Sequence, residues 1–306
     1  MRHGINLSPG PVPLGQHLEH IAHHESVGLD TVWSGQLFGP DLLTLYAMAG
    51  ATTSRISLGT SVIPTPSRHP LVLASQALTT QAATAGRLLL GVGSSHKALV
   101  EGVLGADYDR PAAYLREYLT VLAPLLRSER IAHTGERLHV DTTGAFGRAG
   151  VPGAEAPPIY VGTMFPRSLA VAGELADGIV TWLVGPRTLA EVVIPIAAEA
   201  AAAAGRPRPR FVAGIPITVC AAGEADDHLA LVDRRLGGFT TLPVYEQVLA
   251  REQASGPADL AAIGDESAVA ARLQAFADAG VDEVYGMCFG DEATLLRTST
   301  TLGSLS

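Results

Sequence analysis

Gly86-Arg87-Leu88-Leu89-Leu90-Gly91-Val92-Gly93 decides how the fold reads. From Leu88 to Gly93 the run is apolar or glycine throughout, with no polar alternation. That marks a strand buried on both faces, as in parallel sheets covered by helices. Gly86 stands just past a helical pattern and just before the strand, where a left-handed helix cap is expected, and Gly28 and Gly280 repeat that placement. Working outward, strand runs are expected at 4–7, 30–34, 56–62, 87–93, 158–162, 178–183, 211–220 and 282–289. Helical patterns lie between them. Leu14, Leu18 and Ile21 recur at i, i+4, i+7, as do Val269, Leu273 and Phe276, and Leu115, Leu119, Leu122 and Leu126 extend such a face by another turn. Eight strand–helix units in 306 residues predict an α/β protein, a (β/α)8 TIM barrel with insertions, in preference to an open doubly wound sheet. Three stretches exceed an ordinary connection: 94–110, 128–157 and 223–262. The second, with Thr134-Gly135-Glu136 between short runs, reads as a hairpin. No linker interrupts the pattern, so one domain covering 1–306 is expected.

Composition narrows the function classes. Apolar residues make up 47% and charged residues 17% of the chain, which excludes a disordered polymer. The formal charge of −9 argues against a protein that tracks nucleic-acid phosphates. No apolar run is long enough for a membrane helix, and 192–204 is broken by Pro195 and Glu199. Pro9, Pro11 and Pro13 interrupt any secretory signal core, so a cytoplasmic location is expected. Cys220 and Cys288 form no disulfide framework and match no metal spacing. Of 21 basic residues Lys97 is the one lysine, which nearly removes lysine-based chemistry from consideration.

A barrel places its chemistry in the loops after the strands. That points to 6–10, 34–38, 60–69, 93–97, 162–167, 182–186 and Met287. The cluster His17, His20, His23 and His24 has ligand-like spacing but flanks the stripe of Leu14, Leu18 and Ile21; it reads as a solvated or subunit-contact face, and no metal site is expected. Gly91-Val92-Gly93-Ser94-Ser95-His96 half-matches a dinucleotide fingerprint but lacks its third glycine and its acidic partner. Small residues there let a flat ligand approach the backbone, with His96 at the mouth as a candidate proton donor or acceptor. Gly59 beside Thr60 and Ser61 suggests a bulge, and Pro70 suits a first helical turn. Gly162-Thr163 running into a helix start, with Ser168, offers free amides and hydroxyls for a phosphate, and the segment through Trp182 and Leu183 is placed to help.

Several of these runs together resemble a known family. Gly28-Leu29-Asp30-Thr31-Val32-Trp33, Leu58-Gly59-Thr60-Ser61-Val62-Ile63-Pro64-Thr65 with Arg68-His69-Pro70, the 86–93 run, Gly173-Glu174-Leu175-Ala176-Asp177-Gly178 and Ile263-Gly264-Asp265-Glu266 resemble the luciferase-like flavin and deazaflavin oxidoreductase superfamily. Gln36-Leu37-Phe38-Gly39-Pro40-Asp41 and Gly93-Ser94-Ser95-His96 resemble its coenzyme F-420-dependent branch. The resemblance implies a cofactor ring across the barrel mouth, against Thr60, Ser61 and Val62, with a non-prolyl cis peptide at Ser61–Val62. It implies a cofactor phosphate on Gly162, Thr163, Trp182 and Leu183, ring contacts from Ser94, and His96 as catalytic proton donor. Gln36 stands where many relatives carry an acid; it hydrogen-bonds ring or substrate but shuttles no proton at neutral pH. The implied reaction moves a hydride between carbon 5 of F-420 and a small organic substrate, reducing an activated C=C or C=N bond or oxidising an alcohol. An FMN-dependent monooxygenase and a non-redox barrel are the alternatives. A homodimer through outer helices is expected by the same resemblance.

Overall fold

Eight parallel strands close on themselves in the computed structural model, which describes residues 1–7, 12–144 and 150–305. They are β1 Arg2–Asn6, β2 Thr31–Ser34, β3 Ser57–Thr60, β4 Leu88–Gly93, β5 Ile159–Gly162, β6 Gly178–Trp182, β7 Arg210–Val219 and β8 Glu283–Met287. Each pairs with the next, and β8 pairs with β1 through Arg2↔Glu283, His3↔Val284, Gly4↔Tyr285 and Ile5↔Gly286, which completes the barrel. The outer layer is α1 Leu14–Ser26, α2 Leu42–Ala49, α3 Pro70–Ala83, α4 Pro111–Leu126, α5 Pro166–Leu175, α6 Ile194–Ala203, α7 Glu266–Asp278 and α8 Glu292–Ser304. Gly28, Gly86 and Gly280 have φ of 96°, 85° and 88°, the left-handed turns expected between helix and strand. Asp41, Asp265 and Asp291 cap α2, α7 and α8 by accepting from backbone amides at 2.8–2.9 Å.

Two cores result. Aliphatic side chains fill the layer between barrel and helices. Inside the barrel Trp33, Tyr160, Val180, Val212 and Tyr285 form a separate aromatic plug. Small positions on the strands make room for it: a Cβ on Gly59 would lie 2.3 Å from the Trp33 ring, one on Gly178 2.2 Å from Tyr160, and one on Gly214 2.2 Å from Tyr285. Glu283 stands in this plug, fully buried, accepting from Trp33 Nε1 at 2.6 Å and from the Thr31 hydroxyl.

Between β3 and β4 the ladder slips by one residue. Gly59 pairs with Leu89, yet Ile63 pairs with Val92, so four steps on one strand face three on the other. This is the bulge suggested by Gly59, set at the rim where chemistry is placed. The 128–157 stretch contains the expected hairpin, Ala132–Thr134 against His139–Asp141; residues 145–149 of that stretch lie outside the described residues. Among the described residues no helix is long and apolar enough to cross a membrane.

Candidate functional site

The β3 bulge carries the site's most unusual backbone, a cis peptide between Ser61 and Val62. Its surroundings hold it from both sides. The Ser61 amide donates to the Ser34 carbonyl at 2.7 Å, and the Gln36 amide donates to the Val62 carbonyl at 3.1 Å. The Val62 side chain seats on Gly93 and Gly162, where added Cβ atoms would lie 2.8 Å and 2.6 Å from its methyl groups. The Ser61 hydroxyl is buried with no well-aligned partner, although the Tyr285 phenol faces it. Burial pushes the Tyr285 pKa up to about 12, the nearby serine offsetting only part of that, so the phenol stays protonated at neutral pH.

Above this floor opens a cavity of about 1410 Å³. Ser61, Val62, Ser94, His96, Gly162, Thr163, Trp182 and Gln36 all line it, so eight of the ten residues expected at the site come together. Two do not. Thr60 is fully buried in the barrel wall, where its hydroxyl donates to the Gly91 carbonyl at 2.7 Å and accepts from the Gly91 amide at 2.8 Å. The side chain replaces the ladder bonds that the bulge breaks, and it has no surface left for a ligand. Leu183, only 2% exposed, adopts φ of 55° and turns into the aliphatic core while its amide donates to the Gly214 carbonyl at 2.8 Å.

Gln36 is at the rim, but its amide group is engaged by its own loop. Nε2 donates to the Leu37 carbonyl at 2.8 Å, and Oε1 accepts from the Leu42 amide at 2.9 Å. Residues 8–10 of the first candidate loop lie outside the described residues. Lys97 is 69% exposed and 3.8 Å from Glu101, away from the cavity.

His96 sits just before the short helix Lys97–Gly102, with its ring edge-on to Phe239 at 6.2 Å. Phe239 in turn packs on Tyr245 at 5.1 Å. Both aromatics come from the 223–262 insertion, which crosses the mouth to meet the β4 loop. The imidazole surface still faces the cavity, but the protein massed around the mouth thins its hydration and lowers its pKa below 6.5. The uncharged form therefore dominates at pH 7.

Charge in the cavity is sparse and one-sided. Among the described lining residues Arg110 and Arg167 are the only charged side chains. They open α4 and α5, the helices after β4 and β5. α5 starts without a side-chain cap on its first amides, beside the Thr163 and Ser168 hydroxyls. Such a helix start, with an arginine next to it, suits an anion. Large cavity, small residues along β4 and β5 and an anion-ready helix start together fit a flat ring with an anionic tail.

Residues 1–283 match the luciferase-like monooxygenase family. The chain belongs to that family of oxidoreductases. It is 33% identical over 198 residues to a Mycobacterium tuberculosis protein named, provisionally, a coenzyme F-420-dependent oxidoreductase, a match covering 61% of this chain and 57% of that one. The chain thus spans little more than half the length of this relative. An F-420-dependent glucose-6-phosphate dehydrogenase of Kineococcus radiotolerans is 27% identical over 307 residues, covering 90% of this chain and 88% of that protein. Among solved structures, an F-420-dependent secondary alcohol dehydrogenase with an F-420–acetone adduct superposes at a TM-score of 0.81 and 20% identity, covering 98% of this chain and 97% of that one. An FMN-bound Baeyer–Villiger monooxygenase shares the fold at a TM-score of 0.81 and 17% identity, covering 99% and 96%.

The histidine cluster of α1 reverses its expected place. His17 and His20 are each 5% exposed and His24 is fully buried, so the helix turns these residues inward and leaves Leu14 largely exposed. Burial, with His23 and His20 nearby, holds the His24 pKa down to about 3. The inward face is His17, His20, Ile21 and His24, itself an i, i+3, i+4, i+7 pattern; the imidazoles filled core positions that hydropathy alone assigned to leucine. His17 reaches the cavity. Tyr285 was hidden in the same way, inside a strand that read as plain buried β.

Proposed function

We propose that this protein is a coenzyme F-420-dependent oxidoreductase acting on a small organic substrate. One observation carries the reading: a β3 bulge whose Val62 seats on Gly93 and Gly162 at the floor of a large cavity, with that cavity's charged side chains at the α4 and α5 starts. The relatives named for F-420 support the choice of cofactor. When bound, the deazaflavin supplies a hydride donor or acceptor, a chemistry no side chain provides.

The chain's own residues do the rest. Ser61 and Val62 offer a backbone shelf, and Gly162 leaves the wall open. Thr163, Ser168, Arg167 and the first amides of α5 hold an anionic tail, with Trp182 beside them. Ser94 and Gln36 border the ring position. Phe239 and Tyr245 narrow the mouth and limit water. His96 exchanges the proton that accompanies the hydride. Because its pKa lies below 6.5, it is ready as a base at neutral pH, which favours alcohol oxidation there; proton donation strengthens as the pH falls. Oxidation should therefore rise with pH up to the His96 pKa and then level off, and His96→Gln should flatten that rise.

Titrating the purified protein with F-420 and with FMN, following fluorescence quenching and melting temperature, tests the reading. Saturable micromolar F-420 binding is expected. FMN binding with none for F-420 would move the protein to the second reading, a flavin monooxygenase, which the family's name and the FMN-bound structural neighbour favour.

A further inference from the structure

The ring of eight strands divides the cavity into sectors. Arg110, Thr163 and Arg167 follow β4 and β5. Elsewhere around the mouth, the loops and helices after β7, β8 and β1 supply Leu7, Val12, His17, Met287, Val244 and Tyr245, the last reaching back through Phe239 toward His96. This second sector has no arginine, lysine or carboxylate among its described residues. Its one imidazole, His17, is 5% exposed; Nδ1 is closed off without a partner, so the ring edge that meets the cavity is the one carrying Nε2. A ligand oxygen hydrogen-bonded at Nε2 would satisfy a polar atom that the apolar wall leaves without a protein partner.

Resting on the F-420 reading above, we propose that this sector binds an uncharged, mainly apolar compound bearing one carbonyl or hydroxyl oxygen, and that His17 recognises that oxygen. The argument is electrostatic. A phosphate or carboxylate brought here would lose its hydration and meet no cation, which disfavours it strongly. Loss of hydration, with His20 close by, lowers the His17 pKa, so the ring carries no compensating charge at pH 7. A neutral imidazole nitrogen donates in one tautomer and accepts in the other, so Nε2 suits either a ketone or the corresponding alcohol. The sector is therefore unlike a sugar-phosphate site, although one relative is named for glucose 6-phosphate. In the carbonyl direction, the reduced deazaflavin, when bound, would supply a hydride to the carbon, the C=O π pair would move to oxygen, and that oxygen would take one proton, from solvent by way of His96, giving the alcohol and the oxidised cofactor, while His17 would hold the oxygen without losing its own proton.

Three probes test this on the F-420-loaded protein: benzylacetone, its para-carboxylated derivative, and glucose 6-phosphate. KM and kcat are read from cofactor oxidation or reduction, and binding is read separately from ligand-induced change in tryptophan fluorescence. Benzylacetone should bind and turn over with a KM at least tenfold below that of the carboxylated derivative, and glucose 6-phosphate should do neither. His17→Leu should raise the benzylacetone KM about tenfold with a smaller change in kcat and unaltered F-420 affinity, which also reports an intact fold. His17→Asn, which keeps a donor and an acceptor, should recover part of the loss. Equal or tighter use of the charged compounds, or a benzylacetone KM indifferent to His17→Leu, would overturn the assignment while F-420 binding stood. Failure to bind F-420 with benzylacetone still binding in a His17-dependent way would overturn the cofactor reading instead and leave the sector's ligand class standing.

Discussion

The lower and upper halves of the barrel interior use the same kinds of residue to opposite ends. Below, Trp33, Tyr160 and Tyr285 interlock with glycines, and Oε1 of the buried Glu283 accepts from Trp33 and Thr31, while Oε2 has only Arg2 at 3.9 Å. Above, the rim opens into about 1410 Å³ lined by side chains such as Ser94, His96, Thr163 and Arg167. Polar groups that close on the chain stabilise it, whereas those that line an open cavity are available to a ligand. Tyr285 joins the halves: its ring belongs to the plug and its phenol faces Ser61.

That contrast breaks or sharpens under substitution. Glu283→Ala should cost about 3 kcal/mol in denaturant unfolding, because it strands two buried donors. Glu283→Gln, which keeps an acceptor, should cost much less; equal losses would mean that the lower half depends on charge rather than on pairing. At the mouth, His96→Ala should cut turnover about 100-fold while leaving cofactor affinity within about twofold. Unchanged turnover would reduce His96 to a packing partner of Phe239.

The outer layer offers an intermediate case in His24. Its native pKa near 3 lies below the unfolded value of 6.5, so the unfolded chain binds more protons between those limits. Stability is then full above pH 6.5 and falls as the pH drops toward 3, by about 2 kcal/mol at pH 5 from this group alone. Unfolding of His24→Leu at pH 5 and 7.5 should show a correspondingly smaller difference. Thr163→Glu should weaken cofactor binding about tenfold by placing a negative charge at the start of α5, and an unmoved Kd would put the anionic tail elsewhere. Smallest of all, Lys97→Ala should change stability by less than about 0.5 kcal/mol, since its pair with Glu101 lies in solvent.

Strand and helix order was legible because burial leaves a periodic trace. The 86–93 run, the glycines at helix ends and the prolines at helix starts each obey a local backbone rule, and the barrel pattern together with the family resemblance pointed to ten residues of which eight line the cavity. The misplacements have two causes. Thr60 and Leu183 sit at the right height on the barrel but face its wall, because a bulge and a left-handed residue rotate them away from the mouth. His17, His20 and His24 were assigned outward because hydropathy ranks imidazole as polar, whereas a neutral imidazole packs in a core when its surroundings suppress the charge.

Sequence alone settled the architecture and the strand ends at which His96 and the α5 start lie, since these depend on neighbours close along the chain. Tertiary structure alone decided which side chains face the cavity, that Tyr285 faces Ser61, and that the arginines and the apolar lining gather on different parts of the mouth. Those facts depend on residues more than two hundred positions apart meeting across a closed ring, and no local pattern encodes that distance.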